Sequence, residues 1–208
     1  MKPIYLVALL ALGSVSCVDD LPKLQILSAT PPDPDCTVPA GRQLLSGSLN
    51  LALASNYQLG LIVASNVVDT PITVGGENLT DPDRNAIYVT ELDLSYRTVP
   101  ELNIPSATVP IYGSFRAAGN GSMLLPIYTA DALRALIPAT QGGNIVDTLV
   151  TLKVRGKMVD GSEMETNEIT YSVQVETLVL TCPPDESFEP RTAACDQRGQ
   201  NGVVPACT

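Results

Sequence analysis

Histidine and tryptophan are both absent from this chain of 208 residues. Without histidine, the chain cannot build a Ser-His-Asp or Cys-His catalytic site, or a zinc, copper or iron site with imidazole ligands. The G-x-S-x-G, S-x-x-K and P-loop motifs are also missing. These absences predict a protein that is not an enzyme and that carries no cofactor.

Basic and aromatic residues are scarce. The chain has 12 Lys and Arg against 22 Asp and Glu, a formal charge of -10, and only seven Tyr and two Phe. Nucleic-acid binding draws its affinity largely from Lys and Arg, so we expect no nucleic-acid partner. A carboxylate-dependent hydrolase stays open as an alternative. Its candidate carboxylates are Glu163, Glu165, Asp185, Glu186 and Glu189.

An export signal is predicted over residues 1–16. Lys2 precedes an apolar run of nine residues, Ile4–Leu12. That run is too short to span a bilayer, which takes about 20 residues, and it suits the core of a signal peptide. Small residues follow, and two cleavage patterns compete. An ordinary signal peptidase would leave Cys17 as a free thiol, whereas Val15-Ser16-Cys17 resembles a bacterial lipobox, although Ser14 stands where an aliphatic residue is usual.

The cysteine count favours lipidation of Cys17, with fatty acids such as palmitate. An odd number of cysteines in an exported chain leaves one unpaired. Setting Cys17 aside leaves an even set. The sequence therefore predicts a protein of the bacterial cell envelope, attached to the membrane by an N-terminal lipid. Val18, where inner-membrane lipoproteins of enterobacteria have Asp, favours the outer membrane.

The remaining cysteines are Cys36, Cys182, Cys195 and Cys207, which allow three disulfide pairings. Cys36 precedes the first predicted strand and Cys182 follows the last. Cys195 and Cys207 flank a stretch with glycine and proline that can turn back. These positions favour the pairs Cys36–Cys182 and Cys195–Cys207. Pairing of Cys182 with Cys195 or Cys207 is the alternative.

Three segments follow the predicted signal. Residues 17–43 form a lipid-anchored tether, because the run Thr30–Gly41 contains four prolines and fits neither a helix nor a central strand. Residues 44–181 form the folded domain. Residues 182–208 are a cysteine-containing C-terminal tail that is poor in apolar residues, and a disulfide would order it.

Alternation of apolar and polar residues dominates the domain. Two early strands are predicted to pair across a turn at Ser55-Asn56, with Leu49, Leu51 and Leu53 on one face of the first and Tyr57, Leu59, Leu61 and Val63 on one face of the second. Residues 85–96 alternate as well, although Ile87 and Val89 blur the pattern at the start.

The clearest pair of strands lies late in the chain. Within residues 146–158, one face carries Val150, Leu152, Val154 and Met158, and the other carries Thr151, Lys153, Arg155 and Lys157. Residues 168–175 alternate as well, and Asp160-Gly161 between the two strands favours a tight hairpin turn. A short helix over Thr129–Ile137 has Thr129 as N-cap and Pro138 as its stop, and is expected to cross between strands. Together these elements predict an all-β, antiparallel, immunoglobulin-like β-sandwich with one short helix and a disulfide-stapled tail. A barrel is the alternative.

One weak calcium candidate remains. Asp81, Asp83 and Asn85 present oxygen ligands at alternate positions, as the start of a calcium loop does. Ala86 replaces the glycine of such a loop, Glu91 falls one residue early, and a strand follows instead of a helix. An Asp-Pro turn is therefore favoured over a metal site. A calcium-stabilised adhesin stays open as an alternative function.

The layout resembles bacterial (myxobacterium-like) cell-envelope lipoproteins of β-sandwich type. The residues that carry the resemblance are Cys17, the segment Leu49–Asn66, the hairpin Leu152–Val173 and the tail Cys195–Cys207. The resemblance implies a location and a fold but no activity. We therefore expect a lipid-anchored, non-enzymatic structural or binding module, with an envelope protein as possible partner.

Overall fold

The computed structural model describes residues 22–68, 72–79 and 85–208, which form eleven strands and one α-helix. A single 3-10 turn follows the helix at Gln141–Gly143. The elements in chain order are β1 (Leu24–Thr30), β2 (Ser46–Asn50), β3 (Gln58–Ser65), β4 (Ile72–Val74), β5 (Glu77–Leu79), β6 (Ile87–Val99), β7 (Ala107–Phe115), β8 (Gly119–Pro126), α1 (Ala130–Ala139), β9 (Ile145–Met158), β10 (Glu163–Glu165) and β11 (Ile169–Glu176).

Two sheets pack face to face. The smaller has the strand order β1-β3-β8 and the larger has the order β2-β11-β9-β6-β7, with β10 beside β9. Strands β4 and β5 form a separate hairpin. The order β1-β3-β8 matches strands A, B and E of an immunoglobulin-like sandwich, and β2-β11-β9-β6-β7 matches A′, G, F, C and C′. The predicted all-β sandwich is therefore confirmed.

The core is almost wholly aliphatic, as the scarcity of aromatic residues predicts. Inward side chains of β3 from the smaller sheet and of β9 from the larger sheet belong to one buried cluster. The predicted alternation along β9 and β11 is confirmed, because every second residue is buried from Val146 to Gly156 and from Tyr171 to Val175. The inward residues of β9 are Val146, Thr148, Val150, Leu152, Val154 and Gly156.

The blurred start of the third predicted strand is a β-bulge. Ile87 and Val89 are buried, and after one extra residue, Thr90, the inward positions become Leu92 and Leu94. The pairing with β9 shifts between Val89 and Glu91. A bulge adds one residue to one strand, so the buried positions change from odd-numbered to even-numbered residues. A single alternating pattern therefore did not fit this strand.

Gly156 of β9 lies opposite this bulge, where two backbones come close. A Cβ atom at Gly156 would lie 2.4 Å from the carbonyl oxygen of Tyr88. We expect Gly156→Ala to lower the free energy of unfolding by about 2 kcal/mol, because a backbone atom cannot move aside as a side chain does. Gly113→Ala on β7 is the matched control, since no atom lies within 4 Å of its Cβ position. Chemical denaturation of both variants measures this, and equal effects would contradict it.

The predicted hairpin between the two early strands is wrong. Strand β2 pairs in parallel with β11 in the larger sheet, whereas β3 pairs with β1 and β8 in the smaller one. The chain changes sheets after Asn50, whose carbonyl accepts hydrogen bonds from the N–H groups of Leu53 and Ala54. The Asn50 side-chain amide is buried and bonds Leu178 beyond β11, at 2.8 and 3.1 Å. These contacts fix a turn before the predicted Ser55-Asn56.

The predicted tether over residues 17–43 contains a strand of the sandwich. Strand β1 pairs with β3 from Leu24 to Thr30, so that part of the prediction is wrong. The proline-rich segment that follows lies against the smaller sheet. The N–H of Leu44 bonds the carbonyl of Ala29, and a Cβ atom at Gly60 would lie 2.8 Å from Val38. Proline excludes the segment from a sheet but not from packing on one.

The predicted helix is confirmed with a later end. The Thr129 hydroxyl accepts the N–H of Ala132, as expected of an N-cap. Pro138 lies inside the last turn, and the helix ends at Ala139, with the N–H of Thr140 bonded to Leu136. Helix α1 joins β8 of the smaller sheet to β9 of the larger one, so it is the predicted crossover.

Candidate functional site

Two disulfides join the four described cysteines in an overlapping order. Cys36 bonds Cys195 and Cys182 bonds Cys207, with S–S distances of 2.05 and 2.01 Å. The favoured pairs Cys36–Cys182 and Cys195–Cys207 are therefore wrong, and the alternative pairing is the one observed.

Backbone pairing of the C-terminal tail explains this order. The N–H of Cys195 bonds Pro34 in the proline-rich segment, which brings Cys195 to Cys36. Ser187 and Thr208 exchange two hydrogen bonds of 2.9 Å, and Phe188 forms a bridge with Cys207. This short ladder brings Cys207, near the end of the chain, next to Cys182. Sequence spacing could not reveal it, because the ladder is a contact between two irregular segments.

The tail closes one edge of the sandwich. The N–H of Asn50 bonds Gly199 at 2.7 Å, and the N–H of Asn201 bonds Ser48 at 2.9 Å, so the tail runs beside β2. Between them, Gln200 is 3% exposed, and its side-chain oxygen accepts the N–H of Gln58 at the start of β3 at 2.7 Å. The tail thereby connects the two sheets. The one trace of this role in the sequence is a pair of polar residues between two glycines, Gly199 and Gly202.

A charged side chain orders the tail internally. Arg198 forms an ion pair of 2.7 Å with Asp196, and both side chains are largely buried. The same guanidinium donates to the carbonyls of Glu189 and Pro190. Partly buried pairs with full hydrogen bonding hold their geometry better than exposed ones. The tail is therefore a fixed part of the domain.

Buried tyrosines form the polar part of the core. The hydroxyl of Tyr57 lies 3.1 Å from that of Tyr171 and donates to Asn201 of the tail at 2.8 Å. Tyr128 bonds Thr148, whose hydroxyl donates to the carbonyl of Val173. Burial raises the pKa of Tyr57, of Tyr128 and of Tyr171. Because these hydroxyls are satisfied inside the domain, they form a structural network.

The outer face of the larger sheet is solvated and charged. Three basic residues alternate along β9, as predicted, and each pairs with an acidic side chain on a neighbouring strand. Exposed pairs of this kind each contribute at most about 1 kcal/mol. The pairs are Arg155–Asp93 at 2.6 Å, Lys153–Glu165 at 3.0 Å and Lys157–Glu163 at 3.7 Å.

A shallow groove crosses this face and is its best candidate for ligand binding. Its volume is about 330 Å³, and its lining combines hydroxyl, carboxylate and basic groups from β6, β7 and β9. Charged groups lie at one end, whereas Ser95 and Thr151 face each other across the strands toward the other. Such a groove can exchange hydrogen bonds with a polar ligand or with polar side chains of a protein. We refer to it as the outer-face groove.

The other predicted site residues are separated or lie outside the described residues. Cys17, Asp81 and Asp83 lie outside them, and the side-chain amide of Asn85 donates to Val68 at 3.3 Å. Glu163 and Glu165 are exposed and pair with lysines on β9, and the tail carboxylates Asp185, Glu186 and Glu189 are exposed as well. Within residues 22–68, 72–79 and 85–208, acidic and cysteine side chains form no group of three suited to a metal ion.

Comparisons with known proteins identify no family. No family model and no curated protein matches this chain. Among solved structures, the chain is similar to the solution structure of a protein described as late embryogenesis abundant (LEA). The identity is 10%, the TM-score is 0.39, and the match covers 76% of this chain and 74% of that chain. In the described part of the chain, the structure has no helix of the length and apolar character that crossing a membrane requires.

Proposed function

We propose that this chain is a lipid-anchored, non-enzymatic lipoprotein of the bacterial cell envelope, in which the sandwich serves as a structural or binding module. The observation that carries the proposal is the pairing of the cysteines. Cys36, Cys182, Cys195 and Cys207 are consumed by two disulfides, which leaves Cys17 outside both of them. Cys17 is also the cysteine that follows an apolar run and a set of small residues.

Two further features support an exported protein. Disulfides persist in oxidising compartments, and the two bonds here clamp a tail that has little apolar surface of its own. The outer face of the larger sheet carries charged and hydroxyl groups, which suits water or a polar partner. Under this proposal the outer-face groove is the surface that an envelope partner would contact, and the outer membrane is the location that Val18 favours.

Intact-mass spectrometry of protein purified from the membrane of the producing bacterium tests the lipid anchor. We expect a chain that begins at Cys17 and carries the added mass of a diacylglyceryl group and an acyl chain. A matched Cys17→Ser variant should lack that mass and appear in the soluble fraction, since the four other cysteines remain paired. An unmodified wild-type chain that begins at Cys17 or Val18 would refute the lipid anchor and leave a secreted domain.

A further inference from the structure

The two sheets present four edge strands, and the two at β2 and β1 are blocked. Strand β2 is covered by the tail through Gly199 and Asn201. Strand β1 has a bulge between Ile26 and Ser28, and the side chain of Asn167 bonds both the N–H and the carbonyl of Ile26. An edge whose backbone groups are already bonded, or that is bent by a bulge, cannot accept another strand.

The edge at β7 is also guarded. Pro110 stands in the middle of the strand and lacks an N–H to donate. Beside it, Val89 of β6 pairs with Gly113, and Glu91 pairs with Pro110. Two steps on β6 thus correspond to three on β7, so β7 is bulged at Ile111 and Tyr112. Proline and a bulge are two of the devices by which proteins prevent edge-to-edge pairing.

Strand β8 has none of these protections. Its register with β3 is continuous over eight residue pairs, from Gly119 to Pro126. Proline occurs only at its last position, and none of its residues is charged. Among the described residues, no hydrogen bond reaches the side of β8 that faces away from β3. A groove of about 280 Å³ runs beside its first half, between Gly119–Ser122 and the end of β7.

We propose that β8 is a docking edge for a second copy of this chain, with the two β8 strands paired antiparallel about a two-fold axis. Such pairing would join the two small sheets into one of six strands. An antiparallel strand edge is complementary to itself, so a two-fold contact satisfies both copies at once.

The charge distribution favours β8 as the place where two copies meet. The chain carries a formal charge of -10, so two copies repel over most of their surface. The uncharged β8 is a place where their backbones meet without like charges facing each other. The groove beside it is lined mainly by Ser, Asn, Gly and Ala, together with Phe115 and Arg116, so no acidic side chain lines it.

Sedimentation of the full-length exported chain with Cys17→Ser tests the proposal without a lipid contribution. We expect a monomer–dimer equilibrium with a dissociation constant on the order of 100 µM, because one strand pair buries less than a standard interface. Ser122→Lys places two lysines close together at the centre of the contact and should weaken the dimer about tenfold or more. Thr170→Lys, exposed on β11 of the larger sheet, adds the same charge on a different sheet from β8 and should leave the dimer unchanged.

The outcomes separate the possible occupants. A chain that stays monomeric up to about 1 mM overturns the proposal and leaves the edge to an extended peptide of another protein. A dimer that Ser122→Lys does not weaken also overturns it, since the contact then lies elsewhere. Oxidation of single-cysteine variants supplies a second readout. Ser122→Cys, Asn120→Cys or Leu124→Cys should give a covalent dimer at one or more of these positions, and Thr170→Cys on β11 should not.

Discussion

Replacing Cys36 and Cys195 together with serine is expected to lower the free energy of unfolding by up to about 5 kcal/mol. This disulfide joins residues 159 positions apart, and closing so long a loop restricts the unfolded chain strongly. The same relation gives up to about 3.5 kcal/mol for Cys182–Cys207, whose separation is 25. Both figures are upper values, because each bond shortens the free loop that the other closes.

Denaturation by guanidinium of both double variants, Cys36→Ser with Cys195→Ser and Cys182→Ser with Cys207→Ser, measures the difference. The first pair should also release the tail from the proline-rich segment, since the N–H of Cys195 bonds Pro34 beside the bridge. Hydrogen exchange should therefore increase at Asn50 and Gln58, whose N–H groups bond the tail. A greater loss of stability on removing Cys182–Cys207 than on removing Cys36–Cys195 would contradict the prediction that the longer loop stabilises the domain more.

Above pH 10, three buried tyrosines are expected to lower the stability of the domain by about 4 kcal/mol per pH unit. Tyr57, Tyr128 and Tyr171 are 0%, 3% and 3% exposed, and burial raises the pKa of each above the ordinary value of 10.0. The native state keeps three phenolic protons that the unfolded chain releases. Each such proton lowers the free energy of unfolding by about 1.4 kcal/mol per pH unit between the unfolded and native pKa.

Two tyrosine variants, one at a buried position and one at an exposed position, test this prediction. Tyr171→Phe removes one buried phenol and should reduce the slope of stability against pH by about 1.4 kcal/mol per pH unit. Tyr112→Phe should leave the slope unchanged, because Tyr112 is 92% exposed and this substitution removes no buried phenol. Equilibrium unfolding between about pH 9 and about pH 11, followed with the absorbance of tyrosinate, measures both variants. Equal slopes in the two variants would refute the role of burial.

Local patterns predicted the elements whose causes are local. The alternation along β9 and β11 and the Thr129 N-cap of α1 depend on neighbours in the sequence, and both are confirmed. The bulge at Thr90 left a trace, since Ile87 and Val89 break the parity of Leu92 and Leu94. A pattern read as noise was in fact a change of register.

The failures share one cause, which is contact between distant segments. The tail occupies one edge of β2 through Gly199 and Asn201, and β11, not β3, occupies the other. The same tail carries Cys195 to Cys36. The polarity of the tail does not predict its contacts with β2 and β3. Gln200 bonds Gln58 through one side-chain oxygen, and its neighbours form their hydrogen bonds through backbone groups, which any residue carries. The lipid site at Cys17 stays a prediction.

The overlapping order of the two disulfides determines what a protease can remove. A single backbone cut between Cys36 and Cys182 leaves the pieces joined through Cys195, and a cut between Cys195 and Cys207 leaves them joined through Cys182. A cut between Cys182 and Cys195 leaves the pieces joined by both disulfides. With the pairs Cys36–Cys182 and Cys195–Cys207, the same cut would have freed the C-terminal piece. From Cys36 to Cys207, therefore, no one cleavage sheds any part of this chain until a reductant is present.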